Sequence, residues 1–427
     1  QNFWDVRYAQ HPVFRFVLAR SLYNSTLSFL SGKKKHTLQP LPVTDFAVMQ
    51  HAAPGRLELS WQPAKDTIFS SEPPTGYIVY TKKDNGGFDN GTFVNKNTYT
   101  FTPQKNHLYC FYVTAVNKGG ESFPSEVLCA RISSNQDAKN ILIVNAFTRL
   151  SGPEQICTDS IVGFDILSDP GVDYMQNRIL SGMQTDYRRA PVDSGPVTEK
   201  IGHSRIDMDG EICAGNTFDY PSVHARMFIA HGDYNIESAS VAAFGKRIAN
   251  TQKVYITDVI CGAQKHTPWD RLVGCDYTLF TRETVEALNR YLDTGDSKLI
   301  ISGAYVGKEI HNNKDSRIFA ARIGIDTINS SYIVRDSRVK MVQGKSINLL
   351  VWPSKDVCAT SVFNTLREAH SKNRSMYFSK DNQTAAVFYA DSLSNRIATI
   401  AFPLENVQEK SRNLVLKKII DYLADSK

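Results

Sequence analysis

Short, nearly unbroken apolar runs constrain this chain most. Ile141-Leu142-Ile143-Val144, Val254-Tyr255-Ile256-Thr257-Asp258-Val259-Ile260 and Leu299-Ile300-Ile301-Ser302-Gly303 are the clearest. A strand with one wet face alternates polar and apolar residues, whereas a strand covered on both faces is apolar throughout. Between the last two runs lies a helical pattern. Thr281 is placed to cap it, Glu283 sits in its first turn, and Gly295 ends it. Val285, Leu288 and Leu292 form its buried stripe. Ala385–Tyr389 and Ile397–Ala401 flank Ser392-Leu393-Ser394-Asn395 as a hairpin, and Leu416, Ile419, Ile420 and Leu423 mark a final helix. Strand–helix alternation of this kind predicts an α/β body over 135–427, a three-layer, doubly wound, flavodoxin-like sheet.

Residues 41–134 carry a different period. Leu57, Leu59 and Trp61 alternate with Glu58 and Ser60, and Tyr109, Phe111, Val113 and Ala115 alternate with Cys110, Tyr112 and Thr114. Period two sends one set of side chains to a core and the other outward, and Asp84-Asn85-Gly86-Gly87 and Asn117-Lys118-Gly119-Gly120 read as turns. This predicts an all-β sandwich. Cys110 and Cys129 are equally far from the turn near 119–120, so they should oppose each other, and a cross-strand disulfide is expected in an oxidising compartment.

In the first segment, 1–40, Pro12 opens a helix, Phe14, Leu18 and Leu22 recur every four residues, and Gly32 stops it. That stripe is expected to dock on the rest of the chain, or else on a partner domain. Gln1 stands where an initiator Met would, and no leader pattern follows it, so a processed product or excised fragment is expected.

The charge is mild: 49 Lys+Arg against 43 Asp+Glu gives +6, and Lys33-Lys34-Lys35 is the longest basic block, so no nucleic-acid partner is expected. No apolar run reaches the ~20 residues of a membrane span. No GxxxxGK[ST], GxGxxG or GxSxG element and no CxxC occurs, and no cofactor or metal is expected.

Two resemblances add to this reading. Leu57-Glu58-Leu59-Ser60-Trp61, Gly76-Tyr77-Ile78-Val79-Tyr80 and the Tyr109–Ser122 stretch resemble fibronectin type III domains. That implies Trp61 as the core tryptophan and Tyr109 as the corner tyrosine. The stretches Ile141–Pro153, Gly215–His224 and Thr281–Gly307 resemble the C-terminal region of secreted proteins of Gram-negative gut anaerobes labelled xanthan lyase or N-acetylmuramoyl-L-alanine amidase. The same part is similar to the class I glutamine-amidotransferase-like superfamily, whose nucleophilic Cys sits on a tight turn after a strand. Here that turn reads Ser302-Gly303-Ala304-Tyr305 and carries no Cys.

Ligands of open α/β sheets gather at the carboxyl ends of the strands. Asn145, Arg149, Glu237, Asp258, Ser302 and Tyr305 are expected there to hydrogen-bond a ligand, with Phe218 and Tyr220 offering aromatic faces to a sugar ring. Cys261, with His266 as base, is either a nucleophile at that edge or an ordinary structural thiol, free or bonded to Cys275. His224 and His231, with Glu237 nearby, lack the HExxH spacing of a zinc site. The expectation is an accessory module, secreted, periplasmic or at the cell surface, that positions polysaccharide or peptidoglycan for a catalytic domain elsewhere, such as an upstream amidase. The alternatives are a polysaccharide lyase or hydrolase acting at the strand ends, and a ligand-free spacer.

Overall fold

The structure, a computed structural model, describes residues 3–32, 36–149, 151–165, 167–169, 171, 219–248, 254–267, 277–328, 331–341, 346–349, 360, 362–369 and 374–424. Two helices come first, α1 (Phe3–Gln10) and α2 (Pro12–Ser31). The strands β1 (Thr44–Gln50), β2 (Leu57–Gln62), β3 (Gly76–Lys83), β4 (Thr92–Val94), β5 (Thr98–Phe101), β6 (Tyr109–Asn117), β7 (Gly120–Glu121) and β8 (Leu128–Ala130) follow. The third segment runs β9 (Lys139–Asn145), β10 (Gln155–Cys157), β11 (Val162–Phe164), α3 (Tyr220–Ile229), β12 (Tyr234–Ser240), α4 (Val241–Ala243), β13 (Ile256–Gly262), α5 (Arg282–Asp293), β14 (Lys298–Gly303), α6 (Val306–Glu309) and α7 (Lys314–Arg322). It ends with β15 (Ile333–Val334), β16 (Arg338–Met341), β17 (Ser346–Asn348), β18 (Phe363–Asn364), β19 (Arg374–Phe378), β20 (Thr384–Ala390), β21 (Arg396–Ile400) and α8 (Glu409–Ala424).

Strands β12-β9-β13-β14-β21 are parallel neighbours, and β20, β19, β16 and β17 extend them antiparallel. Numbered along the chain, the five parallel strands stand in the order 2-1-3-4-5. His224 of α3 bonds Asp258, while Tyr291 of α5 approaches its neighbour Thr257. Successive strand residues point to opposite faces, so α3 and α5 cover the two sides of the sheet, and every residue of β13 is buried. Thr281 caps α5 by accepting from Thr284 N–H at 3.2 Å. Gly295 closes it at φ 70°, a left-handed position that glycine adopts freely.

Between Thr44 and Ala130 the strands form two β-sheets packed on a shared core, a β-sandwich. One sheet is β1-β2-β5 and the other is β4-β3-β6-β7 with β8 on β6. Trp61 is fully buried edge-on to Tyr77, and the Tyr109 hydroxyl accepts from the Gln104 backbone at 3.2 Å. The sandwich does not stand apart from the α/β body. Strand β1 pairs antiparallel with β12, with Ala47 opposite Ala239 and Val48 opposite Ser238, so one twelve-stranded sheet crosses both units. Leu108, Cys110, Val127 and Cys129 turn away from the sandwich interior and join the core of the larger body.

Two expectations are corrected here. Cys110 and Cys129 do lie opposite each other, but both thiols are free. Forming the bond requires a thiolate, and burial pushes Cys110 up to about 11 and Cys129 well above its ordinary value. The other concerns α2, which spans the expected residues but docks by its opposite side. Phe14, Leu18 and Leu22 are 37%, 51% and 62% exposed, whereas Arg20 is buried. The Arg20 guanidinium donates to Asp66 at 3.1 Å and to the Gln39 carbonyl at 2.6 Å. At 100° per residue Leu18 and Leu22 face away from Arg20, so this polar anchor turns the stripe outward.

Candidate functional site

Strands β9 and β13 are adjacent where the strand order reverses, the position at which open α/β sheets leave a crevice beyond their carboxyl ends. A cavity of about 140 Å³ lies there. Its walls are the segment after β9 (Ser151–Gln155), the segment after β13 (Lys265–Thr267), and Lys308, Glu309 and Asn312 after β14. The N-terminal helices close it with Arg7, Tyr8 and His11.

The two lysines of the wall are paired with acids. Lys265 Nζ lies 2.6 Å from Asp169 Oδ2 and 3.4 Å from Glu154 Oε2, and Lys308 Nζ lies 2.9 Å from Glu154 Oε1. Burial would raise the Glu154 carboxyl, but Lys308 and Lys265 hold it below its ordinary range. Two side chains differ. His11, at the corner between α1 and α2, is only 5% exposed, and neither ring nitrogen has a hydrogen-bond partner. Glu309 is 1% exposed; burial raises its carboxyl against the stabilising His266 backbone N–H, and its Oε2 has no partner. Buried polar groups normally find partners, so both residues bring unmatched polar atoms into the cavity wall.

Beside the cavity the sheet carries a second polar group. His224 Nδ1 donates to Asp258 Oδ2 at 2.6 Å, and its Nε2 lies 3.2 Å from Glu405 Oε2. Burial works to lower the His224 value, but the two carboxylates overcome it and raise it to about 9. With both ring nitrogens engaged by acids, His224 has no lone pair to give a metal. Asn145 and Ser302 lie on the same face as Asp258 by strand register, buried, without partners for their side chains. Cys261 is also buried, and burial together with Glu405, Asp258 and Glu309 raises its thiol far above the ordinary value. A nucleophilic thiolate needs the opposite environment. Ala304 stands on the turn after β14, its N–H donating to the Gly262 carbonyl.

Of the seven described residues expected at the strand tips, none lines the cavity. Arg149 and Tyr305 stand one layer behind it. Arg149 donates to the Tyr277 carbonyl at 3.0 Å and lies over that ring, which in turn lies 5.9 Å from the His11 ring. The Tyr305 hydroxyl donates to Asp169 at 3.2 Å, with Lys265 over its ring. Asn145, Asp258 and Ser302 belong to the buried face just described. Glu237 is misplaced by the sequence reading: it sits in mid-strand opposite Leu142 and accepts the Gln50 backbone N–H at 2.7 Å, at the junction with the sandwich. Tyr220 is corrected likewise, its ring packed flat on Phe147 at 5.4 Å inside the core. Phe218 and Cys275 lie outside the described residues. His11 and Glu309 were missed. The only sequence signals for them are a histidine at a helix corner before Pro12 and an acid inside the apolar stretch Ala304–Ile310.

No family model matches the chain, and no curated protein matches it. Similar solved structures are fibronectin type III domains. One is the FN5 domain of Drosophila Lar, 16% identical, with a TM-score of 0.18 over 22% of this chain and 99% of that one. Another is a human fourth FNIII domain, 17% identical, with a TM-score of 0.22 over 24% of this chain and 89% of that one. The twitchin kinase region of C. elegans is 20% identical with a TM-score of 0.20; the match covers 24% of this chain and 18% of that region.

Proposed function

We propose that the chain is an accessory module that holds polysaccharide or peptidoglycan, outside the cytoplasm, for a catalytic domain beyond this chain. The observation that carries the reading is the strand-tip cavity, against which His11 and Glu309 are buried with unused hydrogen-bonding atoms. Sugar hydroxyls both donate and accept, so they suit an imidazole and a carboxyl together. The strongly raised Cys261 thiol argues against cutting by a cysteine nucleophile. The parallel order 2-1-3-4-5 is that of flavodoxin-like sheets and accords with an amidotransferase-like plan that has lost its nucleophile.

The test is retention of the full chain on a glycan array and on insoluble peptidoglycan. Retention on either supports the reading, and retention on neither removes it. Incubation with xanthan and other uronate polymers, followed by unsaturated-product absorbance, is the second arm. A signal there would replace holding with lyase chemistry.

A further inference from the structure

We propose that four exposed hydroxyls, those of Thr67, Ser160, Thr327 and Ser392, are acceptors for O-linked glycosylation and that a transferase reads them through one recurring triplet. The settings are Asp66-Thr67-Ile68, Asp159-Ser160-Ile161, Asp326-Thr327-Ile328 and Asp391-Ser392-Leu393. Their modification does not depend on the strand-tip cavity or on what it holds.

The third residue of each triplet is the unexpected one. Ile68, Ile161, Ile328 and Leu393 are each at least 49% exposed. Beyond the N-terminal helices seven leucines and isoleucines are exposed among the described residues, and these are four of them. A single apolar residue on a surface needs no explanation, but the same tripeptide at four such places does. The triplets occupy four separate connections: β2 to β3, β10 to β11, the segment after α7, and β20 to β21. Each is therefore a unit to be read by itself.

The local geometry is shared as well. In three triplets the Asp Oδ1 accepts the N–H of the third residue, at 3.2 Å from Ile68, 3.0 Å from Ile328 and 2.9 Å from Leu393. In the fourth, Thr158 Oγ1 takes the Ile161 N–H at 3.0 Å. Such turns fix the backbone through a side-chain oxygen, and the middle residue is exposed in all four. The carboxylates of Asp66 and Asp326 are held by Arg20 and Arg367. They shape the loop, and the hydroxyl with its aliphatic neighbour is what remains to be read. Where a basic residue follows Asp-Ser, the hydroxyl is spent inside the protein in two cases. Ser297 is buried and donates to the Tyr291 carbonyl at 2.8 Å, and Ser316 is buried and donates to the Asn313 carbonyl at 3.1 Å.

Charge favours a sugar over a phosphate as the added group. A phosphate would set nearly two negative charges beside the Asp carboxylate, whereas a neutral sugar brings no repulsion and covers the exposed aliphatic side chain. The donor is a sugar activated as its glycosyl diphosphate, on a nucleoside or a polyprenol. The Thr or Ser Oγ forms a bond to the anomeric carbon, and the bond from that carbon to the diphosphate oxygen breaks. The diphosphate leaves with the electron pair, and the hydroxyl proton passes to a base on the transferase.

The experiment is peptide mapping by mass spectrometry of the full chain isolated from the cells that make it naturally, before and after alkaline β-elimination. The expected result is glycan on at least two of the four hydroxyls and on none of Thr294, Ser297, Ser316 and Ser337, which also follow Asp but precede no aliphatic residue. Leu393→Gln keeps Asp391 and the Ser392 hydroxyl on an exposed turn. In that variant the glycan at Ser392 should fall to the background of Ser392→Ala, with the other three sites unchanged. Phosphate at these positions, glycan at one or none of them, or glycan spread equally over the four comparison hydroxyls overturns the proposal. Undiminished glycan on Ser392 in Leu393→Gln overturns it too.

Discussion

His224 and Asp258 are joined by a 2.6 Å Nδ1–Oδ2 hydrogen bond, with neither side chain open to solvent. Glu405 lies 3.2 Å from the other ring nitrogen, so one imidazolium is buried between two acids. The folded value of about 9 exceeds the ordinary 6.5. Between them the folded state binds the extra proton, so stability falls as pH rises. The contribution is fully present below about 6.5 and lost as pH passes through about 9. It is on the order of 3 kcal/mol. Urea midpoints should fall between pH 6 and pH 10, and less so in His224→Gln.

Removing one acid separates the two contacts. Asp258→Asn should destabilise the protein at pH 6 by about 3–5 kcal/mol, the usual cost of breaking a buried pair from one side. Glu405→Gln should cost less, since its contact is longer. Equal midpoints for the two variants would contradict this ranking.

The strand-tip edge was legible because Ile141–Val144 and Leu299–Ile301 read as doubly covered strands and ligand crevices follow their carboxyl ends. The residues of the cavity were not. His11 reaches it from a helix pair whose docking side is chosen by Arg20 and Asp66, a contact no periodicity reveals. Glu237 shows the converse failure. A polar residue near a parallel strand's end looked like a ligand group, but it faces the sandwich because β1 of another segment completes the sheet there. The sandwich was readable from alternation alone, as in Leu57, Leu59 and Trp61, all fully buried. Its fusion to the second sheet depends on a long-range strand pair that local pattern does not encode.

Glu237 yields its own pH signature. Burial raises its carboxyl to about 7 from 4.5, opposed by the Gln50 backbone N–H. Its proton is held more tightly in the folded state, so its contribution is fully present below about 4.5 and lost as pH rises through about 7. Glu237→Gln keeps an acceptor for Gln50 and removes the titration. It should be about 1–3 kcal/mol more stable than the parent at pH 8 and nearly unchanged at pH 4. Denaturation curves at the two values decide it.

The cysteines predict a labelling pattern. Cys157 is exposed, while Cys110, Cys129 and Cys261 are buried with free thiols. Burial raises all three buried thiols, and alkylation requires both access and thiolate. Native iodoacetamide at pH 8 should modify Cys157 and spare the other three, which label only in denaturant. Rapid native labelling of Cys261, read by peptide mass spectrometry, would restore it as a candidate nucleophile.

The last prediction concerns the seam between the sandwich and the α/β body. Ser238 Oγ accepts from the Cys129 N–H at 2.8 Å and donates to the Cys129 carbonyl at 2.6 Å, standing in for a missing strand partner. Arg131 pairs its backbone with Ile236 and its guanidinium with Asp233 at 2.9 Å. With β1 also hydrogen-bonded to β12, the two units share a sheet and part of a core. Separating them would orphan the Cys129 groups and expose apolar surface around Cys110 and Val127, so they should open together. Hydrogen exchange by mass spectrometry should show the strands β6 and β13 exchanging through one transition as denaturant is added. Ser238→Ala should lower that transition by about 1–3 kcal/mol, the cost of leaving buried backbone groups unpaired. Two well-separated transitions in the unaltered protein would show instead that the sandwich behaves as an independent spacer.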